Sequence, residues 1–250
     1  TSTASAVAYT SNTQAFTVLS PTPTTPMTLW QSRNSGFTNL IATGGIASST
    51  PVYFSATTTS ALTGGTMYLQ TEMRPTTGAA SSFTSTCSGN GYCFEGSGSI
   101  YSGGNITVTS STTTVDDLYH WQTRAHYFYS SSDYYSAWQC YPDTGCNAEA
   151  PPNPTAATDL ELDTTAPVIS GLTAGSITTN AGTVTWNTMG DSSSSQAAYG
   201  TDAALVTGTA TTTETDVSPT VTAHSVALSN LSCGTTYYYR ARSRDDAGIV

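Results

Sequence analysis

Residues 235–244 alternate with a period of two: Tyr237, Tyr239, Ala241 and Ser243 fall on one face, and Tyr238, Arg240, Arg242 and Arg244 on the other. Successive side chains of a β-strand point to opposite faces, so this run is a strand with a core side and a solvated, basic side. Similar short runs recur along the chain between Gly, Pro, Asn and Asp turns. They occupy residues 52–56, 67–75, 105–109 and 119–125, the start of a strand at 137–140, and then 168–170, 182–187, 196–200 and 220–228. Thr, Val, Tyr and Trp favour strands, and a helical Ala-Glu-Lys-Leu composition is absent. The expected fold class is all-β: two tandem β-sandwich domains plus an extended N-terminal strand.

Composition narrows the partners. The chain of 250 residues has no lysine, six arginines and a net charge of -10, and 84 positions are Thr or Ser. An acidic, lysine-free surface offers no footprint for a phosphate backbone, which argues against nucleic acid. No apolar run approaches the ~20 residues of a membrane-spanning helix. With 37% hydrophobic residues and 15 Tyr, the chain is not of the disordered class either.

Cys87 and Cys93 share a C-x5-C spacing with Cys140 and Cys146, in loop-like sequence, and Cys233 is left over. The spacing suggests small-loop disulfides and an oxidising, extracellular compartment. Zinc ranks lower, because neither C-x2-C nor H-x3-H spacing occurs. Four cysteines allow three connectivities, which stay open here. Cys233 is either buried and reduced or paired between subunits. Because the chain starts at Thr1 without Met or a leader, it reads as a mature or excised portion.

Residues 163–167, Asp-Thr-Thr-Ala-Pro, follow the Pro-rich stretch 151–154 and read as a boundary. Beyond it, Thr183-Val184-Thr185-Trp186, Ala198-Tyr199-Gly200 and the run from His224 to Arg240 resemble a fibronectin type III module of secreted prokaryotic proteins. The resemblance covers residues 164–250. It implies that Trp186 is the core tryptophan, and that Leu231 and Tyr237 form a tyrosine corner in which the phenol bonds backbone ahead of its strand. Residues 118–125 with Ser136-Ala137-Trp138 resemble, more loosely, the end of immunoglobulin-like repeats in large bacterial surface proteins, where a similar linker follows. That resemblance covers residues 27–163.

A fibronectin-like module needs a seventh strand after the 235–244 run, and the sequence ends at Val250 before one appears. Such a gap would leave Tyr237, Tyr239, Ala241 and Ser243 as an open acceptor edge. The N-terminal residues 1–26 contain a candidate for it. Residues 12–21 resemble the last strand of such a module, and residues 22–26 read as a linker. Ala6, Tyr9, Gln14, Phe16, Val18 and Leu19 are the residues expected to carry polymerisation, with Gln14, Phe16 and Val18 on one face. The first twenty residues carry no charge, whereas edge strands that must not pair are usually charged. The expectation is a homopolymer, joined head to tail by strand donation into a neighbour. Folding back on the same chain, or a repeat cut from a longer polypeptide, are the alternatives. A frayed tail is the bland reading.

Catalytic motifs are missing from the sequence: neither G-x-S-x-G, H-E-x-x-H nor a P-loop occurs. The expectation is a non-enzymatic protein without a cofactor. Acidic pairs at Asp116-Asp117, residues 159–163 and Asp245-Asp246 have the hard oxygen donors calcium takes, though solvated loop acids are the favoured reading. Asn105 and Asn230 head two N-x-[ST] sequons. Residues 127–135 form the most aromatic loop; packing is preferred there over a glycan platform. The rivals to a fibre are therefore a cell-surface adhesin or carbohydrate-binding module, and an accessory fragment of a secreted hydrolase.

Overall fold

The computed structural model describes residues 16–76, 83, 87, 92–142 and 158–250. These residues form strands and no helix: β1 Met27–Ser32, β2 Gly45–Ala47, β3 Val52–Thr58, β4 Thr66–Pro75, β5 Cys93–Glu95, β6 Ser99–Ile100, β7 Ile106–Thr112, β8 Asp117–Tyr129, β9 Ser132–Tyr135, β10 Gln139–Cys140 and β11 Leu160–Leu162. Then follow β12 Val168–Gly175, β13 Gly182–Met189, β14 Gln196–Gly200, β15 Ala210–Thr211, β16 Ala223–Leu228 and β17 Tyr238–Arg242. The protein is all-β, as expected from the alternation.

The first sandwich packs a sheet of order β1-β3-β7 against one of order β2-β11-β8-β4-β5, with β6 pairing β4 and β9 and β10 pairing β8. Its spine is the long antiparallel pair β4–β8, in which Met73 faces Trp121, Leu69 faces Ala125 and Met67 faces Tyr127. All six side chains are buried, with Phe54 from β3 packed 4.7 Å from the Trp121 ring. The alternate residues of the same pair, on the outer face, match Glu72 with Gln122, Gln70 with Arg124 and Tyr68 with His126. The period of two thus puts an apolar layer inside and a polar ladder outside. Trp121 ties β8 to β1 and, through Gln31, to the residue just before β11. Its indole N–H donates to Gln31 Oε1 at 2.8 Å, and Gln31 Nε2 donates in turn to the Asp159 carbonyl at 2.6 Å.

Two features differ from the sequence reading. Residues 127–135 are not a loop but the β8–β9 hairpin, turned through Ser130 and Ser131 with φ of 48° and 64°. Left-handed backbone at both turn residues matches strand twist but is normally supplied by Asn-Gly, so Ser-Ser hides the turn. Residues 22–26 are not a free linker: Pro23 and Pro26 are buried and Thr24 N–H donates to the Thr59 carbonyl at 2.8 Å, so the segment lies against the first sandwich.

The second sandwich has sheets of order β12-β13-β16 and β15-β14-β17. Val184, Trp186, Ala197, Val226 and Leu228 form its buried core, with Tyr199, Leu231, Tyr239 and Ala241 packed against it. Trp186 is the central tryptophan, stacked on His224 at 4.9 Å. Tyr237 closes the tyrosine corner: the Ser232 amide donates to its phenol oxygen at 3.1 Å. β12 bulges between Ser170 and Thr173, where Gly171 takes φ of 62° without the penalty a side chain would bring.

Candidate functional site: the open edge of the second sandwich

β17 pairs with β14 on one side only; among the described residues nothing pairs with its other edge. The alternation read from sequence holds in space. Tyr237, Tyr239 and Ala241 are half-buried and Ser243 is buried, while Tyr238, Arg240 and Arg242 are exposed. Half-burial on the core side is the physical mark of a seam left uncovered. Across that seam β12 is exposed almost throughout although it is paired with β13, leaving Leu172 40% exposed and Ile177, just beyond the strand, 75%. Between them runs an open groove of 380 Å³, lined in part by Ala174, Ile177, Val184, Leu231, Tyr237 and Tyr239. An apolar groove beside a row of unpaired backbone N–H and C=O groups is what an added strand occupies.

The described N-terminal residues are uncovered as well. Phe16 is 88% and Val18 81% exposed, and Leu19 more than half. Ala6, Tyr9 and Gln14 lie outside the described residues. The structure therefore contains an unpaired edge on β17 and an exposed, uncharged segment at residues 16–19, and does not bring the two together.

Cys233 sits on the rim of the groove, free and exposed, so the buried alternative is corrected: the loop from β16 to β17 carries it outward. Cys87 and Cys93 form a disulfide that closes a short loop beside β5. Cys140 is disulfide-bonded; Cys146 lies outside the described residues. Asn105 and Asn230 are both exposed, Asn230 in left-handed backbone with φ of 59°.

One constellation resembles a catalytic set and is not arranged as one. Ser195 Oγ lies 2.8 Å from His224 Nδ1 and donates to Asp216 Oδ2 at 2.5 Å. In a Ser-His-Asp triad the acid orients the imidazole from the nitrogen remote from the serine. Here that nitrogen meets Thr188 Oγ1 at 3.1 Å instead, and Ser195 has no exposed surface. Burial pushes the His224 pKa down, which suits a neutral structural ring in this network.

On the outer face of the first sandwich, Arg74 donates to Glu72 Oε1 through Nε and Nη2 at 2.8 and 2.7 Å, and Gln122 donates to Glu72 Oε2 at 2.8 Å. Along the ladder, His126 stacks between Tyr68 and Tyr135, and the Arg124 guanidinium sits over Tyr135 and Trp138. The aromatic residues of the hairpin are thus largely engaged in packing; Phe128 and Tyr135 remain about two-fifths exposed. Alternation within β4 and β8 was the available signal for this ladder, but two unlike polar runs do not announce which strand pairs with which.

The acids considered for calcium separate into different roles. Asp159 is buried, and its Oδ2 accepts from the Trp121 amide at 2.9 Å. Asp116 accepts from the Thr164 and Thr165 hydroxyls at 2.7 and 2.5 Å. Asp163 and Asp245, by contrast, converge with Asp191, a residue the sequence reading did not select. Its place in a Gly190-Asp191 turn at the end of a strand was the only local sign.

The fold and the open edge define a protein of two β-sandwiches, the second fibronectin type III-like. A family model described as the N-terminal domain of purple acid phosphatase matches residues 167–248. Among solved structures, the crystal structure of chicken CNTN1 FN1–FN3 domains is similar at 11% identity and a TM-score of 0.38, over 90% of this chain and 62% of that one. This chain thus spans under two thirds of that structure's length. No curated protein matches.

Proposed function

We propose that this protein is a non-enzymatic structural subunit of an extracellular, pilus-like fibre. One copy inserts its uncharged N-terminal strand along the free edge of β17 in the next. The open seam carries the reading: half-buried Tyr237, Tyr239 and Ala241 opposite the exposed β12, above a 380 Å³ groove. Phe16 and Val18 share a strand face and, at 88% and 81% exposure, have apolar surface to bury there. Fully burying one such side chain contributes ~1.5–3 kcal/mol, and the backbone ladder adds its own bonds. Head-to-tail contacts of this kind do not close on themselves and so give a filament. The disulfide favours an oxidising compartment, and among the described residues no helix is long and apolar enough to cross a membrane.

Deleting residues 1–20 and following assembly by light scattering and electron microscopy tests the proposal. The full chain should form fibres, and the truncated one monomers that bind a synthetic peptide of residues 10–21. Unchanged assembly after truncation overturns strand donation.

A second reading is an accessory module attached to a secreted hydrolase, favoured by the match of residues 167–248 to the phosphatase N-terminal domain model. It predicts a monomer whose groove is filled within a longer chain.

A further inference from the structure

We propose that Asp163, Asp191 and Asp245 bind one calcium ion where the two sandwiches meet. The three carboxylates come from separate segments: Asp163 follows β11 in the stretch joining the sandwiches, Asp191 follows β13, and Asp245 follows β17. One oxygen from each lies within 4.8 Å of the others. Two oxygens on opposite sides of a calcium ion at ~2.4 Å are separated by about that distance.

Asp245 provides an independent sign that a cation belongs there. It is 6% exposed, its Oδ1 accepts from the Ile249 amide at 2.8 Å, and its Oδ2 is buried without any partner. A buried carboxylate oxygen is costly unless it meets a donor or a metal. No basic side chain fills that role. The chain has no lysine, and the nearby Arg244 guanidinium is held by Glu214 at 3.0 and 2.9 Å. Among the described residues, none of the three acids joins an ion pair.

An adjoining 270 Å³ pocket is lined by Asp116, Glu161, Asp163 and Asp191, among others, and has room for the water ligands that three carboxylates leave to be supplied. An all-oxygen set without His or Cys suits hard divalent ions, and three carboxylates favour calcium, whose flexible shell of about six to eight oxygens takes more of them than the one or two that magnesium usually accepts. Because Asp163 belongs to the connecting stretch, the ion pins that stretch to the end of the second sandwich. None of the three acids lines the groove, so calcium binding and strand donation stand or fall separately.

Isothermal titration of the 250-residue chain with calcium chloride tests the site. The expected result is one ion per chain, with a Kd of about 10⁻⁴–10⁻³ M, as in extracellular modules, and weaker binding of magnesium. Asp245→Asn and the half-buried Asp191→Asn should each weaken calcium at least about tenfold, no less than loss of an outer-shell partner does. Far-UV circular dichroism checks that the variants fold. No binding up to about 10 mM calcium, well above that range, overturns the site. So does binding that both folded variants retain, and magnesium bound as tightly as calcium overturns the choice of ion.

Discussion

The Trp186 indole N–H donates to Ser243 Oγ at 2.9 Å, joining the centre of β13 to the segment just beyond β17, and both residues are 2% exposed. The bond anchors the end of β17 from inside the core, while among the described residues the outer edge of that strand is unpaired. Replacing Ser243 by Ala leaves the indole N–H buried without its acceptor, which costs ~1–3 kcal/mol. A lower urea midpoint with unchanged far-UV circular dichroism is the expected outcome.

Arg74→Met should destabilise the first sandwich severely. Glu72 has no exposed surface, and the substitution removes both guanidinium bonds to its carboxylate. Breaking a buried pair from one side costs ~3–5 kcal/mol. The double replacement Glu72→Gln, Arg74→Met should recover much of that loss, and a double-mutant cycle measures the coupling.

His126 makes stability depend on pH. Its Nδ1 lies 2.5 Å from Glu95 Oε1 and its Nε2 2.8 Å from Asp133 Oδ1, so both nitrogens face acceptors and the imidazolium form is favoured. Burial opposes that charge, but the bonds to Glu95 and Asp133 outweigh it and raise the pKa above 6.5; Arg124, stacked on Tyr135, is the neighbouring cation. A raised folded pKa means that the stabilisation is fully present below the unfolded value and is lost as pH rises through the folded one. In the wild type the thermal midpoint should fall as pH rises above the ordinary histidine pKa of about 6.5, and His126→Gln should remove that component of the slope.

Phe16→Asp with Val18→Asp separates assembly from folding. Both side chains are highly exposed in the single chain, so the double variant should unfold within about 0.5 kcal/mol of wild type. Under strand donation it should sediment as a monomer, because two carboxylates cannot enter an apolar groove.

Tyr237→Phe tests the tyrosine corner. It removes the acceptor of the Ser232 amide while keeping the ring, and should cost about 1 kcal/mol in chemical denaturation.

The period of two in residues 235–244, the Trp186 motif and the turn-punctuated Thr- and Tyr-rich runs sufficed to specify strands, an all-β class and the sides each strand would show. These are local properties, set by side-chain alternation and backbone preference. The Ser130-Ser131 hairpin was not legible because its left-handed turn lacks the usual glycine. The Glu72–Arg74–Gln122 ladder was not legible because it depends on which strands become neighbours. Chain pairing likewise decided that Ser195 and Asp216 meet His224 in a buried network, and that Asp191 joins Asp163 and Asp245 across a span of 82 residues. Alternation along one strand carries no information about its partner, whereas register and the ends of the sandwich bring distant carboxylates and open edges into place. Side-chain alternation set the longer strands and their faces, because it acts within one strand; which edge lies uncovered and which acids converge follow from packing between strands far apart in the chain.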